Sequence, residues 1–316
     1  MRFTIVGAGA LGTILGAHLV AAGHPVRMLA RGRRAEQLAR DGLVVHGIAS
    51  LSQPCEVITA ADPARDDDVL VFAVKTYHMA EALAATSRLR PASVFSLANG
   101  VMKNEQLRGT FGPVAVLGCM ANVSGELQVD GRVLFTRNVR LAVGGHEPRA
   151  TEIAAVIDAA GIHADADPAI ETVEWSKFVG WVALFALAVI ARTPTGVYLH
   201  NPHFARLGVA LIKEAAAIAA ARGIPIVDQS PMPVASIAAA DEADAVERVR
   251  EVGRNLLVSA PDHRMSSLQD LDAGRTLEVH ETLGYAVAEA ERLGLAAPTL
   301  AAAYAIGAGL DALRGA

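Results

Sequence analysis

The sequence predicts an α/β fold in two parts, a parallel sheet covered by helices and then an all-α domain, divided into residues 1–168 and 169–316. Three observations predict it. Short β-branched runs alternate with helical patterns through the first half, as they do where helices cover a parallel sheet. From about Ile170 onward nearly every segment carries the helical period. A chain of 316 residues also exceeds the length at which one hydrophobic core keeps growing.

The expected strands are Phe3 to Val6, Val26 to Leu29, Val69 to Ala73, Val94 to Leu97 and Val114 to Leu117, with helices over Leu11 to Ala22 and Tyr77 to Arg88 between them. After Gly118 shorter strands follow, Glu126 to Val129, Val133 to Phe135 and Arg140 to Val143. Asp130-Gly131 brackets a hairpin, because both residues tolerate the positive φ such turns require. Helices are expected over Glu171 to Arg192, Phe204 to Arg222, Glu242 to Val258, Leu277 to Leu293 and Thr299 to Leu313. Prolines 194, 202, 225, 231, 233, 261 and 298 fall at the breaks, where a missing N–H costs least.

Composition excludes several classes of function. Hydrophobic residues make up 52% of the chain against 19% charged, which excludes a disordered polymer. A net charge of -5 comes with no basic stripe, so a nucleic-acid role lacks its electrostatic footprint. Cys55 and Cys119 match no metal-ligand spacing, and they read as reduced structural thiols. His200, His203, His263 and His280 form no H-E-x-x-H pattern, so no metal site is expected. The glycine-rich turn after Val6 comes too early for a signal peptide. The uncharged stretch Phe178 to Ala191 falls short of a bilayer span and reads as a buried helix. A cytoplasmic protein with no membrane partner is the expectation.

Gly7, Gly9 and Gly12 form G-x-G-x-x-G between the first strand and the first helix, with Ala10 and Leu11 opening that helix. In this context the first glycine permits the turn, the second lets the backbone approach a pyrophosphate, and the third lets helix pack against strand. The free N–H groups and partial positive charge of the helix start face the phosphates. A dinucleotide-binding Rossmann domain follows. After the second strand stands Ala30-Arg31-Gly32-Arg33-Arg34, with no acid to accept from a ribose 2′-hydroxyl. Arg31 suits a 2′-phosphate, so NADP is preferred over NAD.

These features, with Val74-Lys75, Asn99-Gly100, Trp175-x-Lys177, SLQD at 267–270 and GRTLE at 274–278, resemble the ketopantoate reductase family along nearly the whole chain. The resemblance implies NADPH-dependent reduction of a 2-oxo acid, 2-dehydropantoate in pantothenate biosynthesis. It implies Lys177 as general acid with Glu278 as its acidic partner, Ser266 on a substrate carboxylate, Asn99 between nicotinamide and substrate, and Lys75 at the cleft mouth. The chemistry agrees, since an ammonium can stabilise and protonate the oxygen of a ketone receiving hydride. Bland readings stand beside these. Lysine at a helix start is often a snorkelling surface residue, Glu278 could be an exposed helix acid, Asn99-Gly100 could be a simple turn, and Ser266 could cap a helix.

The family pattern is broken on the helix after Lys177. Trp181 and Phe185 stand where the family presents asparagines, and His280 and Leu283 replace an acid and an asparagine. Residues 177, 181 and 185 share a helix face, so a larger, more apolar 2-oxo acid is expected in place of ketopantoate, unless the two aromatics are ordinary core. Two further readings stay open: dehydrogenation of a bulky 2-hydroxy acid such as mandelate, and a noncatalytic NADP-binding sensor. Retention of both Lys177 and Glu278 speaks against the sensor. Long apolar helices in the second part make a homodimer the expected assembly.

Overall fold

The computed structural model describes residues 1–62 and 68–315. In chain order the elements of the first part are β1 (Phe3–Val6), α1 (Ala10–Ala21), β2 (Val26–Leu29), α2 (Gly32–Asp41), β3 (Leu43–Gly47), β4 (Leu51–Gln53), β5 (Glu56–Ile58), β6 (Val69–Phe72), α3 (Met79–Thr86), β7 (Ser93–Ser96), α4 (Met102–Phe111), β8 (Gly118–Leu127), β9 (Val133–Gly144), α5 (Arg149–Ala159) and β10 (Ala164–Ala166). There follow α6 (Ile170–Ala191), α7 (Thr195–His200), α8 (Pro202–Ala221), α9 (Val234–Ala239), α10 (Glu242–Ser259), α11 (Ser266–Asp272), α12 (Tyr285–Arg292) and α13 (Pro298–Ala312). The chain divides into two compact units, Met1–Glu171 and Thr172–Ala316, the division falling in the first turn of α6. The predicted architecture is present, a five-stranded parallel sheet and then a helical domain.

In the first unit the parallel sheet has the order β5-β2-β1-β6-β7. Strands β1, β2, β6 and β7 are buried at every position, as expected of strands covered on both faces. Alternation divides them between two cores: Phe3, Ile5, Val69 and Val71 join one cluster, and Val6, Leu70 and Phe72 the other. Met79, Leu83 and Leu107 from α3 and α4 complete the second core.

A second sheet, order β10-β9-β3-β4 with β8 antiparallel to β9, was not anticipated. Helix α1 packs against strands of both sheets, and at Gly16 an added Cβ would stand 3.1 Å from Met28 Sδ of the first and 3.2 Å from Leu43 Cδ1 of the second. Two expectations need correction here. Val114 to Leu117 is no strand, since only Val116 bridges to Val94. Of the segment read as Glu126 to Val129 only Glu126 and Leu127 are strand, ending the long β8, and Arg140 to Val143 lies in the long β9; irregularities at Asn122/Val123 and Ser124/Gly125 break their register. The Asp130-Gly131 turn forms as expected, with Gly131 at φ +93° and its N–H donating to the Gln128 carbonyl at 3.0 Å.

In the second unit α6 runs 22 residues because its helix continues through Ile170 to Lys177, ahead of the uncharged stretch. By length and composition it could cross a bilayer, so the expectation that it falls short is corrected; 83% of its apolar window is buried in the fold, as in a core helix. The expected helix over Leu277 to Leu293 starts later, since Leu277 and Glu278 are not helical; a π-helical turn at His280–Gly284 leads into α12. Pro202 and Pro298 occupy the first positions of α8 and α13, and Pro194 and Pro233 precede α7 and α9, so these four helix starts have their expected cause.

Helices α7 and α10 approach so closely that a Cβ on Gly253 would lie 2.4 Å from the His200 backbone nitrogen and 2.7 Å from the Leu199 carbonyl carbon. No side-chain rotation relieves a clash with backbone. Gly253→Ala is expected to destabilise the protein by about 1–3 kcal/mol. Gly109→Ala on α4, where an added Cβ meets nothing within 4 Å, is the control and should leave the melting temperature level or slightly raised. Equal melting temperatures for both variants would show that the two helices have room to separate.

Candidate active site

The glycine-rich loop leaves β1 at Val6 and enters α1 at Ala10. Gly7 adopts φ +99°, and a Cβ there would stand 2.7 Å from Val74 Cγ1. At Gly12 a Cβ would lie 2.1 Å from the Gly7 carbonyl oxygen, so this glycine is demanded by the contact between helix and turn. Around Gly9 the nearest atom would be 3.9 Å away, leaving the loop open at that residue. Gly9 serves as the N-cap of α1 without a side-chain cap, and no acidic residue occupies the first turn. The helix itself therefore supplies no side-chain charge to offset the amides of Ala10 and Leu11 and its positive end. These features fit a dinucleotide pyrophosphate.

The three arginines after β2 have separate roles. Arg31 donates through Nη1 to Glu81 Oε1. Arg33 donates to the Val129 carbonyl at 2.7 Å. Arg34 turns beneath the glycine-rich loop, donating from Nε to the Ala8 carbonyl at 2.7 Å, from Nη2 to Thr13 Oγ1 at 2.8 Å and from Nη1 to the Gly131 carbonyl at 2.8 Å. Burial lowers its guanidinium pKa from the ordinary arginine value, against the opposing charges of Cys55 and Asp41. Sequence reasoning missed this brace, because its partners lie as far as Gly131.

Lys75 precedes a 3₁₀ turn at Thr76–His78 and is half-buried. Asn99 is half-buried beyond the end of β7, and Gly100 takes φ +83°. The strand end is held by Ser96 Oγ, which donates to the Phe72 carbonyl at 3.2 Å and accepts from the Ala98 N–H at 3.1 Å. Lys103, only 5% exposed, donates through Nζ to the carbonyls of Ala98 and Cys119, at 2.8 and 2.5 Å. This lysine also escaped sequence reasoning, since nothing in its neighbourhood distinguishes it from a surface helix lysine. Because β1, β2, β6 and β7 are parallel, the glycine-rich loop, Arg31, Lys75 and Asn99 all follow the carboxyl ends of strands, the edge where such sheets bind ligands.

In the second unit Lys177, Trp181 and Phe185 follow one another at one-turn spacing on α6. Lys177 is half-buried and is the last charged residue of that helix. Its turn is pinned from several sides. Trp175 meets Phe178 edge-on at 5.5 Å and carries the Arg222 guanidinium 5.2 Å over its ring; Arg222 in turn pairs with Glu289 at 2.5 Å. The Arg292 and Arg222 hydrogen bonds hold Glu289 below its usual carboxylate value, against the opposing effect of burial. Ser176 Oγ donates to the Thr172 carbonyl and accepts from the Val227 N–H, fixing the same turn to the segment after α8.

Trp181 is half-buried, yet its indole Nε1 is fully buried and has no hydrogen-bond partner among the described residues. Phe185, at 1% exposure, is an interior residue packed edge-on to Trp181 at 6.3 Å. Glu278 is 5% exposed and stands just before the π-helical turn, a feature frequent at functional sites. Ser266 is half-buried as the first residue of α11, whose N-cap is Met265 with no side-chain cap. The neighbouring Ser267 hydroxyl is buried without a partner among the described residues. His280 is engaged with the Tyr304 hydroxyl at 3.0 Å, and Leu283 is core. Neither Cys119 nor Cys55 is in a disulfide; the first is buried and the second is raised in pKa by burial.

Comparison with known proteins identifies relatives of the whole chain. The family model for ketopantoate reductase PanE/ApbA matches residues 3–148, and that for its C-terminal domain matches residues 169–310. The 2-dehydropantoate 2-reductase of Mycobacterium tuberculosis is 32% identical over 301 residues, and that of Archaeoglobus fulgidus 30% over 298, each alignment covering 93% of this chain and 92% of the relative. Among solved structures, a PanE/ApbA family ketopantoate reductase from Ralstonia eutropha superposes with TM-score 0.85 at 24% identity, covering 100% of both chains. D-mandelate dehydrogenase in a ternary structure with NADH and anilino(oxo)acetate superposes with TM-score 0.84 at 16% identity, over 100% of this chain and 99% of that one. At those identities the structures bear on the fold alone. The two family matches and the curated relatives establish that this chain belongs to the ketopantoate reductase PanE/ApbA family and is an oxidoreductase of the 2-dehydropantoate 2-reductase kind.

Proposed function

We propose that this enzyme uses NADPH to reduce a 2-oxo acid bulkier and more apolar than ketopantoate, with Lys177 as the general acid. The observation that carries the proposal is the face of α6, where a half-buried lysine is followed one turn later by an aromatic residue with a buried, unpartnered N–H. A half-buried lysine at the head of the uncharged run of this helix supports a functional role there.

The nicotinamide ring supplies hydride when the dinucleotide is bound. For that ligand the amides of Ala10 and Leu11, with the space at Gly9, receive the pyrophosphate, and Arg31 receives the 2′-phosphate. Asn99 positions the carbonyl region and Lys75 draws in the anionic substrate. Lys177 holds a proton toward the carbonyl oxygen, stabilising the charge that develops there and then neutralising it. Glu278 keeps the ammonium charged and oriented, and Ser266 holds the substrate carboxylate.

Trp181 combines two properties the substrate would meet. Its ring narrows and dehydrates the site, which disfavours a small hydroxylated acid, and its indole N–H offers one donor to a substrate oxygen. Phe185 supports that ring from the interior. We assign the enzyme to the cytoplasm, as a homodimer with no nucleic-acid or membrane partner.

Lys177→Ala is expected to lower kcat by about 10²- to 10⁴-fold while NADPH affinity stays nearly unchanged. Steady-state rates with a cofactor titration by fluorescence check this, and a kcat within about threefold of wild type would remove Lys177 from the mechanism. Trp181→Phe keeps most of the ring and removes the N–H. It should raise KM for the preferred 2-oxo acid by about 3- to 10-fold, with kcat changed less than about twofold. An unchanged KM would mean that the indole donor does not meet the substrate.

A further inference from the structure

The nucleotide-binding edge carries an ion pair that no step above uses. Arg31 stands two residues beyond β2, and Glu81 lies in the first turn of α3, which follows β6. In the sheet these strands are not neighbours, because β1 lies between them. Adjacent strands are about 4.8 Å apart, so β2 and β6 are separated by about 10 Å, with the glycine-rich loop rising from β1 in between. The Arg31 Nη1 to Glu81 Oε1 contact, between residues 50 apart in sequence, therefore reaches from one side of that loop to the other.

Both partners are more than half exposed, at 53% and 63% of their side-chain surface. Such a pair adds little to stability and is readily exchanged for another. Of the three arginines after β2, Arg33 and Arg34 donate to backbone carbonyls at Val129, Ala8 and Gly131, whereas Arg31 is held by a carboxylate. An anion arriving at Arg31 meets a competing anion already in place.

We propose that Glu81 is a specificity-determining residue for the cofactor: it competes with the adenosine 2′-phosphate for Arg31 and so sets how strongly NADPH is preferred over NADH. The proposal rests on Arg31 as the 2′-phosphate ligand. A 2′-phosphate has to displace the Glu81 carboxylate and is repelled by it. A 2′-hydroxyl brings no such charge, and a carboxylate can accept its hydrogen bond. A simpler role for Glu81, an acid favourable to the start of α3, would affect the melting temperature and leave cofactor choice untouched.

The test is a binding titration of the full chain with NADPH and with NADH, for wild type, Glu81→Gln, Arg31→Ala and the double variant, each checked for folding by its melting temperature. Glu81→Gln should tighten NADPH by about two- to fivefold and leave NADH unchanged or weaker. The gain should vanish in the Arg31→Ala background. NADPH affinity unchanged or weakened in Glu81→Gln, or the same gain without Arg31, overturns the proposal. Should Arg31→Ala alone leave the ratio of NADPH to NADH affinity as in wild type, the Arg31 assignment fails and the proposal falls with it. Loss of that ratio in Arg31→Ala with no effect of Glu81→Gln overturns the role of Glu81 alone.

Discussion

The contact between the Gly12 Cα and the Gly7 carbonyl oxygen, with no room for a methyl group, is the constraint on which the first unit is organised. It draws the start of α1 against the end of β1 and directs the amides of Ala10 and Leu11 out of the loop. The same tight seat fixes the direction in which α1 runs. From there the helix reaches strands of both sheets, so one turn governs the packing of two layers. Arg34 reinforces the arrangement by tying Ala8 and Thr13 to Gly131 in the β8–β9 hairpin. The Ala8 carbonyl accepts from Arg34 and from the Thr13 hydroxyl, so the loop is braced from within the first unit.

A comparable division of labour holds in the second unit. Helix α6 is apolar enough to be buried nearly all round, and burial leaves few places for a charge. Lys177 occupies the last of them. The turn that carries it is fixed by Trp175 beneath Arg222, by Glu289 between two arginines, and by the Ser176 hydroxyl. Their effect is to hold one ammonium and one indole N–H on a helix that cannot shift without breaking buried polar bonds.

Much of the fold was legible because the decisive signals are local. Strands β1, β2 and β6, the helix after the glycine-rich loop, and the long helices α6, α8, α10 and α13 each announce themselves by period and by proline or glycine at their ends. The second sheet did not. Its strands β3, β4 and β10 are short and half-exposed, and β8 contains Gly125 and register shifts that interrupt the alternation. Leu277 to Leu293 has a helical pattern, but the π-helical turn at His280 adds a residue that periodicity does not reveal. In the site, glycines and their spacing were readable, whereas Arg34, Lys103 and Glu81 act through partners distant in sequence. The Trp181 N–H, buried without a partner among the described residues, likewise emerges only once the helices are packed.

The central claim is that the retained lysine and the aromatic face of α6 together form a working reductase site for a bulky 2-oxo acid. The most direct measurement mixes the NADPH-loaded protein with a series of 2-oxo acids, from ketopantoate to branched and aryl-substituted compounds, and follows loss of the reduced nicotinamide absorbance over the first turnover. The account predicts oxidation of NADPH, fastest with the bulky apolar acids and slow with ketopantoate. Absence of oxidation with every acid would contradict it and leave a protein that binds the nucleotide without chemistry. Fastest oxidation with ketopantoate, at a kcat/KM of about 10⁴ M⁻¹s⁻¹ or better, would equally contradict it, because Trp181 would then be no barrier to a small polar substrate.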